Sequence, residues 1–496
     1  MNAHTNEAAL KAALAMPREL LINGDWRAAV DGRTAAIHDP ATGQEIAQIS
    51  HAGEKDVDAA VRAAQAALSS THWRDITPAA RERMILRFAD LIEENADLLA
   101  GLETLNNGKL LANSRGFDVL AGAQWVRYMA GWATKIEGLA LDVSASAPGT
   151  RFQAIVKRQP AGVVAAIVPW NYPLLMAIWK IAPALATGCT LVLKPSEETP
   201  LTALKLAELA LQAGIPPGVF NVITGDGATG AALVRHPGVN KVAFTGSTEV
   251  GRIIGQQCGH DIKRVSLELG GKSPVIVLDD VDVQAVIAGA SSAIFYDQGQ
   301  VCTAGSRLYV HKKHFDEVVD GVAQAAKNLR LGSGFDPQSQ IGPLISAKQR
   351  QRVLGLIETG EREGAELLAG GAAPEGAGYF VQPTVFAHTS GKPLTLVREE
   401  VFGPVLVAQP FDDLEEVIRQ ANDTPYGLAA SVWTRNISNA LRVAERIEAG
   451  TVWINTHLPS DPNIPFGGFK QSGIGRENGR AAIEAYTETK SIVIAY

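Results

Sequence analysis

The sequence predicts an α/β protein with a parallel, doubly wound sheet, and two observations predict it. Short apolar runs at 162–168, 190–193, 219–224 and 241–245 have the length and continuity of strands buried on both faces. Helix-like segments separate them, among them 174–186 and 201–213. Such sheets bind ligands beyond the carboxyl ends of their strands, so the residues that follow each run are the candidate functional residues.

Composition narrows the class. The chain has 496 residues, which at roughly one domain per 150 residues suggests about three domains. Hydrophobic residues make up 46% and charged ones 20%, enough for a large core. A formal net charge of −7 without a Lys/Arg run argues against a nucleic-acid surface. Three cysteines do not make a disulfide framework and fit a reducing, cytoplasmic compartment. Residues 1–20 carry Glu7 and Glu19 and lack the apolar core of a leader. No apolar run approaches the roughly 20 residues needed to cross a membrane, and neither a membrane nor a metal is expected.

Taken in order, 56–68 and 79–99 read as amphipathic helices and 151–158 alternates as a strand after a Ser/Ala/Pro/Gly loop. After the first buried run comes Pro169-Trp170-Asn171-Tyr172-Pro173, where Asn171 either offers amide donors at the crevice or closes an Asx-turn. After the second comes Lys194-Pro195-Ser196-Glu197, in which Lys194 and Glu197 suit a ribose or phosphate but also fit a solvated loop. The third ends in Gly225-Asp226-Gly227-Ala228-Thr229-Gly230, by itself a weak phosphate signal. The fourth ends in Phe244-Thr245-Gly246-Ser247, where a helix start and the Ser247 hydroxyl can receive a pyrophosphate. Two such turns favour a dinucleotide over ordinary glycine turns.

Next, Glu268 stands inside the apolar run Val265-Ser-Leu-Glu-Leu. A carboxylate there is paired, raised in pKa as a general base is, or turned outward on an edge strand. A helix-like stretch through Val283, Val286, Ile287, Ala290 and Ile294 leads to Gly299-Gln300-Val301-Cys302-Thr303-Ala304-Gly305, and a strand-like Leu308-Tyr309-Val310 follows. A cysteine at a glycine-flanked turn is presented by backbone whose amides favour the thiolate, although a buried cysteine can also be a small hydrophobe.

With Pro-Trp-Asn, Lys-Pro-Ser-Glu, Phe-Thr-Gly-Ser, Glu-Leu-Gly-Gly-Lys and Gly-Gln-Val-Cys in this order, the chain resembles the aldehyde dehydrogenases. Glu400-Val-Phe-Gly-Pro404, Asn455 and Pro465-Phe-Gly-Gly-Phe-Lys-Gln-Ser-Gly473 extend the resemblance from about residue 20 to Tyr496. It implies that Cys302 attacks the aldehyde, Asn171 and the Cys302 amide hold the oxyanion, and Glu268 activates the water that releases the acid. Lys180 and Glu477 match a proton relay. NAD is the implied cofactor, held by Pro169, Trp170, Lys194, Glu197, Phe244, Gly246, Ser247, Glu400 and Phe402, with Gly227 near the adenosine. The loop at Gly227 is a residue shorter than in relatives. The implied fold is a Rossmann-type domain of 1–140 and 160–270, a catalytic α/β domain of 271–471, and a small β oligomerisation arm of 141–159 and 478–496. A homotetramer, a dimer of dimers, is expected.

Two readings from other classes compete: a thiol esterase on Cys302 and Glu268 that needs no dinucleotide, and a catalytically silent binding protein, which would lack these groups. Within the family, a coenzyme-A-acylating enzyme would lack the carboxylate at Glu268. The runs Ser114-Arg-Gly-Phe-Asp-Val119 and Trp125-Val-Arg-Tyr128, with Asn455-Thr-His457, are similar to phenylacetaldehyde dehydrogenases. Trp125, Met176, Trp179, Phe295, Tyr296 and Phe466 are expected to line an apolar pocket. The stretch from Trp170 to Lys180 also resembles betaine- and aminoaldehyde dehydrogenases, whose aromatic boxes hold an ammonium, but Asn107 stands where those enzymes often carry an acid.

Overall fold

The computed structural model describes residues 3–145 and 148–496. The predicted loop ahead of 151–158 includes residues 146–147, and the N-terminal stretch read for a leader includes 1–2; these lie outside the described residues.

Five parallel strands form the centre of an eight-stranded sheet: Val163–Ile167, Thr190–Lys194, Phe220–Val222, Lys241–Thr245 and Arg264–Glu268. Both Val163–Ile167 and Thr190–Lys194 are buried along their whole length, because helices cover both faces and leave no side to carry polar residues. From Val163–Ile167 the chain adds Thr190–Lys194 and Phe220–Val222 on one side, then Lys241–Thr245 and Arg264–Glu268 on the other. The order therefore reverses between Val163–Ile167 and Lys241–Thr245, which opens a crevice above their carboxyl ends. The helix Pro173–Thr187 is buried on all sides; proline opens it and Gly188, at φ 86°, ends it in the left-handed region.

A second sheet of seven strands runs Glu366–Ala369, Thr384–Ala387, Val405–Phe411, Arg307–His311, Pro274–Val277, Ala429–Trp433, Thr451–Ile454 in spatial order. Only the Glu366–Ala369 edge is antiparallel. Its helix Val283–Phe295 is capped by Asp282, whose carboxylate accepts the amides of Gln284 and Ala285 at 3.1 and 3.2 Å. A third, antiparallel sheet pairs Thr487–Ala495 with Phe152–Pro160, and the latter with Leu139–Asp142. It thus joins two segments far apart in sequence, while residues 479–485 ahead of the last strand form a short helix.

One expectation of the sequence is corrected and one of its alternatives is excluded. The helix expected over 79–99 is two helices, Pro78–Glu94 and Ala96–Asn107. Asn95 divides them: its side-chain amide donates to the Leu91 carbonyl at 2.8 Å and its backbone leaves helical geometry at ψ 19°. Glu268 does not sit on an open edge facing solvent either; Gly473–Ile474 pairs against its strand, and the side chain is 3% exposed.

Candidate active site

One cavity of about 1030 Å³ opens over the crevice of the first sheet and is closed by loops of the second. Pro169, Trp170, Asn171, Gly246, Ser247, Glu268, Cys302, Glu400 and Phe402 all line it. These residues come from five separate stretches of chain. Lys180, Lys194, Glu197, Gly227, Phe244 and Glu477 are not in its wall.

Cys302 follows a sharply turned segment in which Asp297, Gln298 and Gly299 have φ of 45°, 60° and 65°. Its thiol is pushed up to about 12, mainly by burial and then by the carboxylates of Glu400 and Glu268; the amides of Cys302 and Thr303 pull the other way. The turn amides are therefore present as expected, but burial outweighs them in raising the thiol. Asn171 donates one amide hydrogen to the Gln300 carbonyl at 2.9 Å, which fixes the side chain beside the cysteine loop and leaves its second hydrogen free to serve an oxyanion.

Glu268 ends its strand with both carboxylate oxygens buried and unpartnered. Burial holds its pKa well above the usual carboxylate range, the nearby Glu477 raises it further, and Lys180 and Arg476 oppose. Gly467 permits this approach: a Cβ there would lie 2.7 Å from a Glu268 oxygen. Behind Glu268, Lys180 forms a buried ion pair with Glu477 and donates to Thr245 Oγ1 at 2.6 Å.

On the opposite side, the helix Thr248–Asp261 begins at the cavity, and its first amides have no intrahelical acceptor. Ser247 caps it by accepting the Val250 amide at 3.3 Å. Trp170 and Phe402 meet edge to face at 5.2 Å. Glu400 accepts the Gly271 amide at 2.8 Å, and burial pushes it up to about 7. Phe244 instead packs beneath the wall, its ring 2.5 Å from where a Cβ of Gly246 would stand, so that position demands glycine. Lys194 is 5% exposed and reaches Glu197, itself 52% exposed, at 3.5 Å. The glycine turn at Gly227 differs from the Ser247 turn: Asp226 already takes the helix amides of Ala228 and Thr229 at 2.9 and 3.2 Å, which sets an anion where a phosphate would bind. That cap follows from an Asp just before the first helical residue, legible in the sequence once the helix start is known.

The remaining wall is mixed: Glu249, Arg252, Arg352, Arg398 and Glu399 line it along with a group of aromatic and apolar side chains. Phe117, Leu175, Met176, Trp179, Tyr296, Leu458 and Phe466 form that group. Trp125 and Phe295, expected there, are instead buried behind it. Trp125 stacks on Trp179 at 6.0 Å, and its indole N–H donates to Asn478 Oδ1 at 3.1 Å. Asn107 is likewise committed, donating to the Trp170 carbonyl at 2.7 Å. His457, which the sequence singled out by similarity alone, reaches the Thr303 carbonyl and Ser431 Oγ at 2.8 and 2.9 Å. Because a carbonyl only accepts, its Nε2 carries the proton, and burial holds the ring neutral with a pKa lowered to about 4. It is not a base for Cys302. Sequence reasoning missed the Tyr172–Asp297 hydrogen bond beside the site, since those residues lie 125 positions apart and nothing local to either one pairs them.

Comparison with known proteins agrees with this geometry. Residues 26–492 match the aldehyde dehydrogenase family. A phenylacetaldehyde dehydrogenase of Pseudomonas fluorescens is 57% identical over 486 residues, covering 97% of each chain. The NAD+ complex of an aldehyde dehydrogenase from Bacillus cereus superposes with a TM-score of 0.94 at 47% identity, covering 98% of each chain. A betaine aldehyde dehydrogenase from Staphylococcus aureus, also with NAD+, gives 0.95 at 37% identity, covering 99% of this chain and 97% of its own. With the family matched over nearly its whole length and the same fold throughout, the chain belongs to the aldehyde dehydrogenase family.

Proposed function

We propose that this protein oxidises an arylacetaldehyde, phenylacetaldehyde being the representative case, to the carboxylic acid with NAD. The observation that carries this reading is one cavity in which Cys302, Asn171 and an unpartnered Glu268 share the lining with a group of uncharged side chains, Phe117, Leu175, Met176, Trp179, Leu458 and Phe466, while its charged lining, among it Arg252, Arg352 and Glu399, belongs to other stretches of chain. The 57% identity to a phenylacetaldehyde dehydrogenase supports the same substrate class.

The Cys302 thiolate adds to the carbonyl carbon, and the oxyanion is held by the free Asn171 amide hydrogen and the Cys302 N–H. NAD, when bound, supplies the acceptor for the hydride that this adduct releases, leaving a thioester on Cys302. Glu268 takes a proton from water as it attacks that thioester, and the carbon–sulfur bond breaks to give the acid and the Cys302 thiolate. The proton on Glu268 can then pass towards Lys180 and Glu477, which lie behind it. The chain's residues suit the cofactor. The free amides at the start of Thr248–Asp261, with Ser247, fit a pyrophosphate. Lys194 and Glu197, with Gly227 beyond them, would hold the adenosine ribose, and Trp170, Glu400 and Phe402 would hold the nicotinamide half, near Gly246 and Phe244. In this reading 1–140 and 160–270 hold the cofactor and 271–471 carries the nucleophile. The remaining strands serve a cytoplasmic homotetramer, a reading supported by the exposed Val493 and Ile494 on Thr487–Ala495.

A panel of phenylacetaldehyde, benzaldehyde, hexanal, betaine aldehyde and 4-aminobutanal, followed by absorbance of reduced nicotinamide, tests the substrate. Phenylacetaldehyde is expected to give the highest kcat/KM. A betaine-aldehyde or aminoaldehyde value about tenfold higher, roughly 1.4 kcal/mol in transition-state binding, overturns the assignment and makes the aromatic wall a cation box.

A further inference from the structure

The backbone that delivers Cys302 is held in a conformation it would not keep unaided. Asp297 and Gln298 both have positive φ, 45° and 60°, which side-chain-bearing residues rarely adopt. Such geometry persists where the surroundings over-determine it. Here both oxygens of the buried Asp297 carboxylate are occupied: Oδ1 accepts the Asn113 side-chain amide at 2.7 Å, and Oδ2 accepts the Tyr172 hydroxyl at 2.8 Å.

Tyr172 adjoins Asn171. Two bonds therefore join the loop at Pro169 to the segment leading into Cys302: Asn171 to the Gln300 carbonyl, and Tyr172 to Asp297. The second bond is backed from below. Lys109, buried and paired with Asp118 at 3.0 Å, places its ammonium 4.0 Å from the Tyr172 ring centroid. Tyr172 is thus fixed through its ring as well as its hydroxyl, while its ring also forms cavity wall. We propose that Tyr172 and Asp297 are positioning residues whose hydrogen bond latches the loop bearing Asn171 to the loop bearing Cys302, setting the distance between nucleophile and oxyanion donor. This rests on the roles proposed above for Cys302 and Asn171. Neither latch residue touches the reacting atoms in that scheme.

The test uses the full-length enzyme and its best aldehyde, with Tyr172→Phe, Asp297→Asn and the double variant. Tyr172→Phe keeps the ring and removes only the latch. It is expected to slow the first-turnover release of reduced nicotinamide about tenfold, with NAD affinity and melting temperature close to those of the parent. Asp297→Asn, whose amide oxygen still accepts from the hydroxyl, should retain most of the rate. The double variant should be no slower than Tyr172→Phe alone, because residues sharing one interaction are not additive. A Tyr172→Phe rate equal to the parent's, or a double variant several-fold slower than Tyr172→Phe, overturns the latch. So does parallel loss of NAD affinity and rate, which marks a general structural role. If the parent itself reduces no NAD with any aldehyde in the panel, the proposed chemistry fails instead, and the two failures are distinguishable.

Discussion

Two buried carboxylates flank the cysteine loop, and they are treated in opposite ways. Glu268 has no partner on either oxygen, whereas Asp297 has one on each. The energetic consequence follows from desolvation. A satisfied buried carboxylate stiffens what it holds, and an unsatisfied one destabilises the fold while keeping its oxygens available for a proton. The difference teaches where reactivity can reside: Glu268 is free to do chemistry because nothing has been spent on binding it, and Asp297 cannot act as a base without releasing the loop.

The largest expected effect tests whether the cavity's chemistry depends on one thiol. Cys302→Ser should reduce dehydrogenase turnover to below a few per cent while leaving NAD binding, read by calorimetry, largely unchanged. Activity above that level means another nucleophile. Glu268→Gln should come next. Acylation persists without the base, so a burst of reduced nicotinamide followed by a very slow steady state is expected, and a linear, undiminished trace removes Glu268 from deacylation. The same variant should melt close to the parent, since a neutral amide of similar shape replaces a carboxyl that has no partner to lose, whereas Asp297→Ala should cost about 1–3 kcal/mol by orphaning Tyr172 and Asn113. Equal destabilisation by both would erase the distinction between them.

The pH profile sharpens the comparison further. Glu268 and Cys302 both have pKa values raised by burial, so each holds its proton to higher pH than an exposed carboxyl or thiol does. Both act deprotonated in the proposed scheme. The deacylation rate should therefore rise as pH increases, and Glu268→Gln should flatten that limb. A rate that falls towards alkaline pH would contradict the assigned direction of proton transfer.

How much of this was legible beforehand depended on how local the cause is. The parallel strands were legible because full burial imposes an unbroken apolar run, as in Val163–Ile167. That Cys302, Asn171 and Glu268 meet in one cavity could be anticipated because each sits at a strand end or a glycine turn within a short, distinctive motif. The break at Asn95 was missed because an asparagine amide reaching back to Leu91 competes with helix continuation only once the neighbouring turns are packed. Trp125 was misplaced because the family resemblance marks a segment that meets the pocket but not which of its side chains reaches the wall; stacking on Trp179 puts Trp125 one layer behind it. The Tyr172–Asp297 latch left no signal, since tertiary folding alone brings those residues together.

A third carboxylate completes the series and carries the smallest effect. Glu197 is half-exposed and only loosely paired with Lys194 at 3.5 Å, so it is neither orphaned like Glu268 nor locked like Asp297. In the proposed cofactor site it accepts the two hydroxyls of the adenosine ribose, and its charge repels a 2′-phosphate. Water screens much of that repulsion at such exposure, and a rotamer change beside Lys194 can ease the rest. NAD should therefore be preferred over NADP by a modest factor, about tenfold in kcat/KM with one aldehyde. Glu197→Gln should narrow the ratio by improving NADP more than it harms NAD, and 0.5 M salt should narrow it in the parent. A parent enzyme that favours NADP removes Glu197 from the ribose; a ratio untouched by both the substitution and salt shows that discrimination resides in the shape of the site rather than in this carboxylate.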